Sequence, residues 1–266
     1  MKAWLTYVKE RFPLPVYVLL SGGLAPHSWL GFLYAMWLFA TLRLMDELKD
    51  YQKDIIAHPE RPLPRGLLKT DRVAIVINAL MIFGIGLSFG FALVSPVAMV
   101  LAVITTLWLW LMFKEFYIGE SLQKRPLLYA ITHQLILIPL CLLMTALAGG
   151  DIASPLHFGW AIGVLGAFFS YEVSRKLDPS AHPILGTYLS VYGRGGSTLI
   201  VLVLTIVAAL GAAASGFSLW MTPFAVLTLL SYSILWVKPS AFKVIEGAAT
   251  LSLFFHIWAP VLRSIL

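Results

Sequence analysis

The chain is poor in cysteine and in charge. Cys141 is its only cysteine. Neither a disulfide framework nor a zinc–thiolate site can be built from one thiol. Charged residues make up only 12% of the 266 positions, against about 25% in an ordinary soluble domain. Phosphate-cradling glycine loops of the P-loop or dinucleotide type are missing. So is the D-G-x-x-A-R pattern of the CDP-alcohol phosphotransferases. No low-complexity tract or short-period repeat is visible. These absences exclude a disordered chain, a coiled coil, a collagen and a secreted disulfide scaffold.

What is present is apolar. Hydrophobic residues reach 59%, and mean hydropathy is +0.86. A soluble globule of this size could not cover that much apolar surface. The fold class is therefore all-α and polytopic, a chain that crosses a membrane repeatedly. It reads as a single domain over 1–266.

Apolar segments fall near 12–26, 29–48, 71–94, 96–113, 126–148, 155–176, 197–215, 219–236 and 244–265. That makes nine predicted spans, most near the ~20 residues a crossing helix needs. The first holds Pro13, Pro15 and the Gly22-Gly23 pair. It follows basic residues as a signal peptide would. It runs directly into a second apolar helix, which favours a span.

Charge tests this count. With the N-terminus inside, the inner stretches lie near 43–72, 114–125, 172–194 and 237–243. Every Lys and Arg except Arg263 falls there or in the N-terminal segment. Basic residues gathered on one face follow the positive-inside rule, with the N-terminus cytoplasmic. The formal charge of +6 is then a membrane signature, and no nucleic-acid partner is expected. Every acid except Asp151 lies on the same face. The rule does not require that, so the inner helix ends are where chemistry is expected, in an inner or plasma membrane.

The second span ends in Asp46-Glu47-Leu48-Lys49-Asp50-Tyr51-Gln52-Lys53-Asp54. Asp46, Asp50 and Asp54 recur every four residues, one above another on a helix face. Like charges so placed repel unless a cation bridges them. Mg²⁺ prefers hard oxygen ligands, often one or two carboxylates plus substrate phosphates. A solvated helix end with Lys49 and Lys53 pairing the acids is the alternative. The loop after it, His58-Pro59-Glu60-Arg61-Pro62-Leu63-Pro64-Arg65-Gly66, is stiffened by three prolines. It can present an arginine fork to phosphate, or to anionic lipid.

The run from Asp46 to Gly66 resembles the first signature of the UbiA-type intramembrane prenyltransferases, N-D-x-x-D-x-x-x-D followed by H-P-x-R-P-x-P-x-G. Asp46 stands in the Asn place and Glu47 in the first Asp place, while Asp50 and Asp54 are kept. The resemblance implies nine helices around a central cavity that opens to the cytoplasm and sideways to lipid. It implies Mg²⁺-dependent transfer of an isoprenyl group from its diphosphate to a hydrophobic acceptor, often an aromatic ring or a lipid. Asp46, Asp50 and Asp54 would be the first metal-binding set. Asp50, Asp54 and Glu172 would be central to catalysis.

The second family signature is altered. A second D-x-x-x-D is usual at the end of the sixth span. Here the positions read Glu172 and Lys176, with Asp178 two residues further and His182 four beyond that. Glu172 and Asp178 could share a metal. Lys176 could replace one metal as a point charge on the diphosphate. Glu172 and Lys176 could also be a plain i,i+4 pair. His182, beside Pro183, reads as a loop residue. Arg43 lies inside an apolar helix and must be paired, either with the diphosphate or with Glu47. Arg43, Arg61, Lys114, Lys124, Arg175 and Lys176 are the basic residues expected to meet diphosphate. Tyr117 is a looser candidate, with interfacial anchoring as its alternative. His133 in the fifth span could shape an acceptor pocket or bond a neighbouring helix. A terpene cyclase on the same scaffold, acting without an external acceptor, is the competing activity. A transporter would need polar residues deep in several helices, and most spans here are apolar through their middles. The acceptor, the prenyl length and the oligomeric state are not encoded in any motif.

Overall fold

The computed structural model describes residues 2–265, with side chains described for 2–262. The side chain of Arg263, the one basic residue expected on the outer side, lies outside the described residues.

The described residues are helical throughout, joined by short turns. In chain order the helices are α1 (Lys2–Arg11), α2 (Leu14–Leu24), α3 (Trp29–Lys49), α4 (Tyr51–Ala57), α5 (Thr70–Gly90), α6 (Pro96–Phe113), α7 (Gly119–Gln123), α8 (Pro126–Gln134), α9 (Leu137–Leu147), α10 (Pro155–Ser174), α11 (Tyr188–Ala214), α12 (Ser218–Ser231), α13 (Ile234–Val237) and α14 (Lys243–Ile265). Seven stretches are long and apolar enough to cross a membrane: Thr70–Leu93, Pro96–Phe113, Pro126–Leu147, Pro155–Ser174, Tyr188–Ala214, Ser218–Val237 and Pro239–Leu262. They coincide with the third to ninth predicted spans. The first two predicted spans are α2 and α3. With 11 residues, α2 is short of a crossing. The 21-residue α3 is diluted by Arg43, Asp46, Glu47 and Lys49 at its end.

Serines and a threonine start several helices. Ser28 accepts a hydrogen bond from Gly31 N at 3.1 Å, and Thr187 accepts one from Ser190 N at 3.2 Å. Ser95 and Ser154 cap helices whose first residue is proline. That position suits proline because its missing N–H would have no partner in the first turn.

The long helices pack in sequence order, α2 on α3, α3 on α5, α5 on α6, α6 on α9, and on through α10, α11 and α12. The last, α14, packs on α2 as well as on α10 and α12. The chain therefore closes on itself in a ring. Lipid-soluble helices gain little by the hydrophobic effect on meeting, so close approach must come from small residues. A Cβ on Gly166 would lie 2.5 Å from Ala208 N, and one on Gly211 would collide with the Gly163 backbone. These glycines let α10 and α11 touch backbone to backbone. Between α2 and α14, a Cβ on Gly23 would meet Ile257 at 2.5 Å. Polar ties hold the other side of the ring. The Trp37 indole donates to the Leu80 carbonyl at 2.9 Å. Tyr34 Oη lies 2.9 Å from Thr106 Oγ1, which lies 2.9 Å from Ser88 Oγ. The N-terminal α1 is tied to the end of α3 by Arg11 to Glu47, and to the loop after α4 by Glu10 to Arg65.

Candidate active site

The three predicted carboxylates occupy one short stretch at the end of α3 and through α4. The chain bends at Asp50 (φ −86°, ψ 0°), yet Asp50 N bonds the Asp46 carbonyl and Asp54 N bonds the Asp50 carbonyl, each at 2.9 Å. The i→i−4 ladder therefore passes through the bend, and the acids stay one turn apart.

Their environments differ. Asp46 is the open one, its side chain 38% exposed, with Lys49 Nζ 3.2 Å away. Asp50 is half-buried. Burial first, then the Asp46 charge, pushes its carboxyl above the usual range. Asp54 is buried and accepts a hydrogen bond from Arg61 at 2.6 Å. Glu47 turns elsewhere. Its Oε1 accepts from Arg11 Nε and Arg43 Nη2, both at 2.6 Å, with its side chain fully covered. Of the two partners weighed for Arg43, Glu47 is the one it meets. Oε2 of Glu47 and Nε of Arg43 are buried without a hydrogen-bond partner.

The second cluster is compact. Glu172, at the end of α10, holds Arg175 at 2.5 Å and Lys176 at 2.6 Å. The i,i+4 pair is formed, and a second cation joins it. Asp178 does not reach this cluster. It accepts from Ser180 N and Ser180 Oγ at 2.8 and 2.7 Å, a local turn in the following loop. His182 accepts from Ile184 N at 3.2 Å in that loop, as a loop residue would.

The two helix ends lie within electrostatic range of each other. Tyr17, on α2, lies within electrostatic range of Arg43, Asp46, Arg175 and Tyr171. Arg175 is held firmly protonated by the Glu172 carboxylate and, more distantly, by Tyr171 and Asp46. Further along, α4 packs on the turn Pro183–Leu185 that follows α10. Arg175 is thus paired with Glu172 and within electrostatic range of Asp46.

The remaining basic candidates lie apart. Lys114 sits over the rings of Trp110 and Phe113, 4.8 and 5.0 Å from their centroids. Lys124 lines a surface depression with Tyr117, Ile118, Gly119, Glu120 and Ser121. Among the described residues no ion pair joins either lysine to the carboxylates. Among the same residues, no three His, Cys, Asp or Glu side chains are gathered closely enough to hold a metal by themselves.

Sequence reasoning does not single out Tyr129 or Glu115, whereas its pairing of Lys49 with the acids is made at Asp46. Lys49 Nζ lies 5.4 Å from the Tyr129 ring centroid. Glu115 accepts from Gln123 Nε2 at 3.0 Å. Residues Glu115, Phe116 and Tyr117 all have positive φ (48°, 54° and 59°), which side chains with a Cβ resist by roughly 1–2 kcal/mol each. The i+3 spacing of Asp46 and Lys49 was a usable signal. Nothing in the sequence marks the left-handed turn.

No protein-family model matches this chain, and no curated protein matches its sequence. A solved structure does. The chain superposes on one described as digeranylgeranylglyceryl phosphate synthase in membranes, with a TM-score of 0.57 and 19% identity, over 97% of this chain and 98% of that one. At that identity the likeness is one of fold alone.

Proposed function

We propose that the protein transfers an isoprenyl group from its diphosphate to a hydrophobic acceptor, working at the inner ends of α3 and α10. The observation that carries this reading is Arg175, bonded to Glu172 and within electrostatic range of Asp46. Carboxylates on one side and a pair of cations on the other suit a metal-bridged diphosphate. The prenyl tail would lie between the helices, in a central cavity open to the cytoplasm and to lipid. The nine-helix, N-terminus-inside topology argued from charge belongs to the same proposal.

The donor set fits Mg²⁺ held in part by substrate. Asp46 and Asp50 offer hard oxygens one turn apart, and burial, then the Asp46 charge, raises the carboxyl of Asp50. One or two carboxylates with phosphate oxygens completing the shell is the usual Mg²⁺ arrangement, so a three-residue protein cage is not required. When bound, Mg²⁺ would neutralise charge gathering on the departing diphosphate. Asp54 fixes Arg61, and through it the proline-stiffened loop. Glu172 stores Arg175 and Lys176 at the mouth of the site, where both retain N–H donors for phosphate. That arrangement favours cations over a second metal at the altered signature, so Asp178 falls outside the metal set. Lys114 and Lys124 would act only in steering the anion toward the face.

The test is diphosphate release from geranyl, farnesyl and geranylgeranyl diphosphates by the purified protein, with Mg²⁺ and with chelator. Mg²⁺-dependent release that fails in Asp50→Ala, in protein that still inserts and folds, is expected. Unchanged turnover in both Asp50→Ala and Asp54→Ala would overturn the site.

A further inference from the structure

The N-terminal helix α1 is leashed to the edge of the apolar zone. Only Phe12 and Pro13 separate Arg11 from Leu14, where α2 begins. Phe12 stacks on Tyr17 of α2, with centroids 3.9 Å apart. On α2 the side chains of Leu14, Val16, Val18 and Leu19 are 40–50% exposed, a surface that suits acyl chains. The place of α1 is therefore where that surface ends. It is also the carboxylate side, since Arg11 bonds Glu47 at 2.6 Å.

The residues of α1 sort by face. Each residue turns the helix by ~100°, which puts Trp4, Tyr7 and Arg11 on one side. These are the groups that meet the protein. Tyr7 is 3% exposed, Trp4 packs against the core and stands edge-on to Tyr7, and Arg11 holds Glu47. Going round from there come Val8 and Leu5, then Lys9 and Lys2, then Thr6 and Glu10. Val8 and Leu5 are 40% and 64% exposed. Lys9 and Lys2 are exposed too, and among the described residues no ion pair takes either of them. Glu10 turns back to Arg65 at 2.9 Å.

Apolar, then basic, then polar is the order around a helix that lies in a membrane interface. The apolar edge enters the acyl boundary, the lysines reach up to phosphates, and the last edge meets water. A single exposed leucine is ordinary on a soluble surface. Here Leu5 and Val8 are joined by a two-residue link to the exposed apolar row of α2, so they continue a lipid-facing surface.

We propose that the outer face of α1 is a seat on an anionic phospholipid surface, with Leu5 and Val8 among the upper acyl carbons and Lys2 and Lys9 on headgroup phosphates. Two lysines beside a two-residue apolar edge match an anionic headgroup layer in charge. The edge is too small for a stable protein interface. The seat does not depend on prenyl transfer, yet it bears on the neighbouring site. Arg11 belongs to the same short helix, and the Glu47 it holds adjoins Asp46 in the chain.

The test uses the full chain in nanodiscs of phosphatidylcholine, alone or mixed with phosphatidylglycerol. A nitroxide is attached at Leu5→Cys or, on the water edge, at Thr6→Cys; the native Cys141 is fully buried. Oxygen, which concentrates among acyl chains, and a water-soluble nickel chelate report the depth of each label. Oxygen should dominate at Leu5→Cys and the chelate at Thr6→Cys. In discs with phosphatidylglycerol, the ratio of lipid-seated to unseated Leu5→Cys label should fall about fivefold on Lys9→Gln and about thirtyfold when Lys2→Gln is added, the effect of one and of two lysines at an anionic surface. In phosphatidylcholine alone the ratio should not change. Lys2→Arg with Lys9→Arg, which keeps the charge, should hold the original ratio. Chelate access at Leu5→Cys equal to that at Thr6→Cys would mean a solvated face and overturn the proposal. Shielding of Leu5→Cys from both reagents would mean a protein cover and overturn it too. So would lysine variants that behave alike in the two lipid mixtures. Loss of folding in both the neutral and the charge-keeping pair would give the lysines a structural part and also overturn it. Where the neutral pair alone fails to fold, Lys2→Gln and Lys9→Gln singly decide.

Discussion

Arg61 and Asp54 form an unequal pair: at 2.6 Å, the arginine side chain is 26% exposed while the aspartate's is 3% exposed. Cutting either partner therefore has different consequences. Arg61→Ala strands a buried carboxylate, a loss of about 3 kcal/mol or more. Asp54→Asn leaves a guanidinium that water can still reach, so about 1 kcal/mol is expected. Melting temperature in detergent should thus fall further in Arg61→Ala. The reverse order would mean that the loop is not anchored through this pair.

Asp50 gives a pH signature. Burial first, then the Asp46 charge, raises its folded pKa above the unfolded value, so the folded state binds the proton more tightly. Its contribution is fully present below the ordinary carboxylate pKa and is lost as pH rises through the raised one. Metal-free wild type should lose stability on going upward through that window. Asp50→Asn should remove that part of the slope and melt higher than wild type at neutral pH, while losing diphosphate release. Added Mg²⁺ should flatten the wild-type slope. Melting curves against pH with and without Mg²⁺ check all three.

The legible part of this fold was what the period and charge of the sequence carry. Seven apolar runs became seven span-length helical stretches, because twenty apolar residues have few alternatives in a bilayer, though the stretch expected from 197 starts at Tyr188. The Asp46–Asp50–Asp54 ladder was legible for the same reason: four-residue spacing survives the bend at Asp50. What escaped depended on partners distant in sequence. Glu47 looks like part of the acidic motif, but Arg11, 36 residues away, draws it aside. Asp178 looked able to join Glu172, until the Ser180 turn captured it. The break between α8 and α9, just before Pro139, was readable in principle, since proline at that place removes a helix bond.

The contact of α10 and α11 predicts a graded glycine series. Gly166→Ala puts a methyl 2.5 Å from Ala208 N and 2.8 Å from the Leu204 carbonyl oxygen, both backbone atoms of α11. Backbone cannot rotate away as a side chain can, so about 1–3 kcal/mol should be lost. Gly86→Ala and Gly247→Ala meet nothing within 4 Å and should stay within ~0.5 kcal/mol of wild type. Equal melting temperatures across the series would mean that the two helices do not touch as described.

The last prediction separates the second cluster from its loop. Glu172 holds two cations at 2.5 and 2.6 Å, whereas His182 holds one backbone N–H at 3.2 Å on an exposed turn. Glu172→Gln keeps the shape but drops the charge that positions Arg175 and Lys176. If those cations meet diphosphate, KM for the isoprenyl diphosphate should rise about tenfold or more, the ~1.4 kcal/mol of one charge-assisted contact. Lys176→Ala should move KM in the same direction. His182→Ala should leave both kcat and KM within about twofold of wild type. A larger loss in His182→Ala than in Glu172→Gln would place the diphosphate on the loop, and the inner end of α10 would cease to be half of the site.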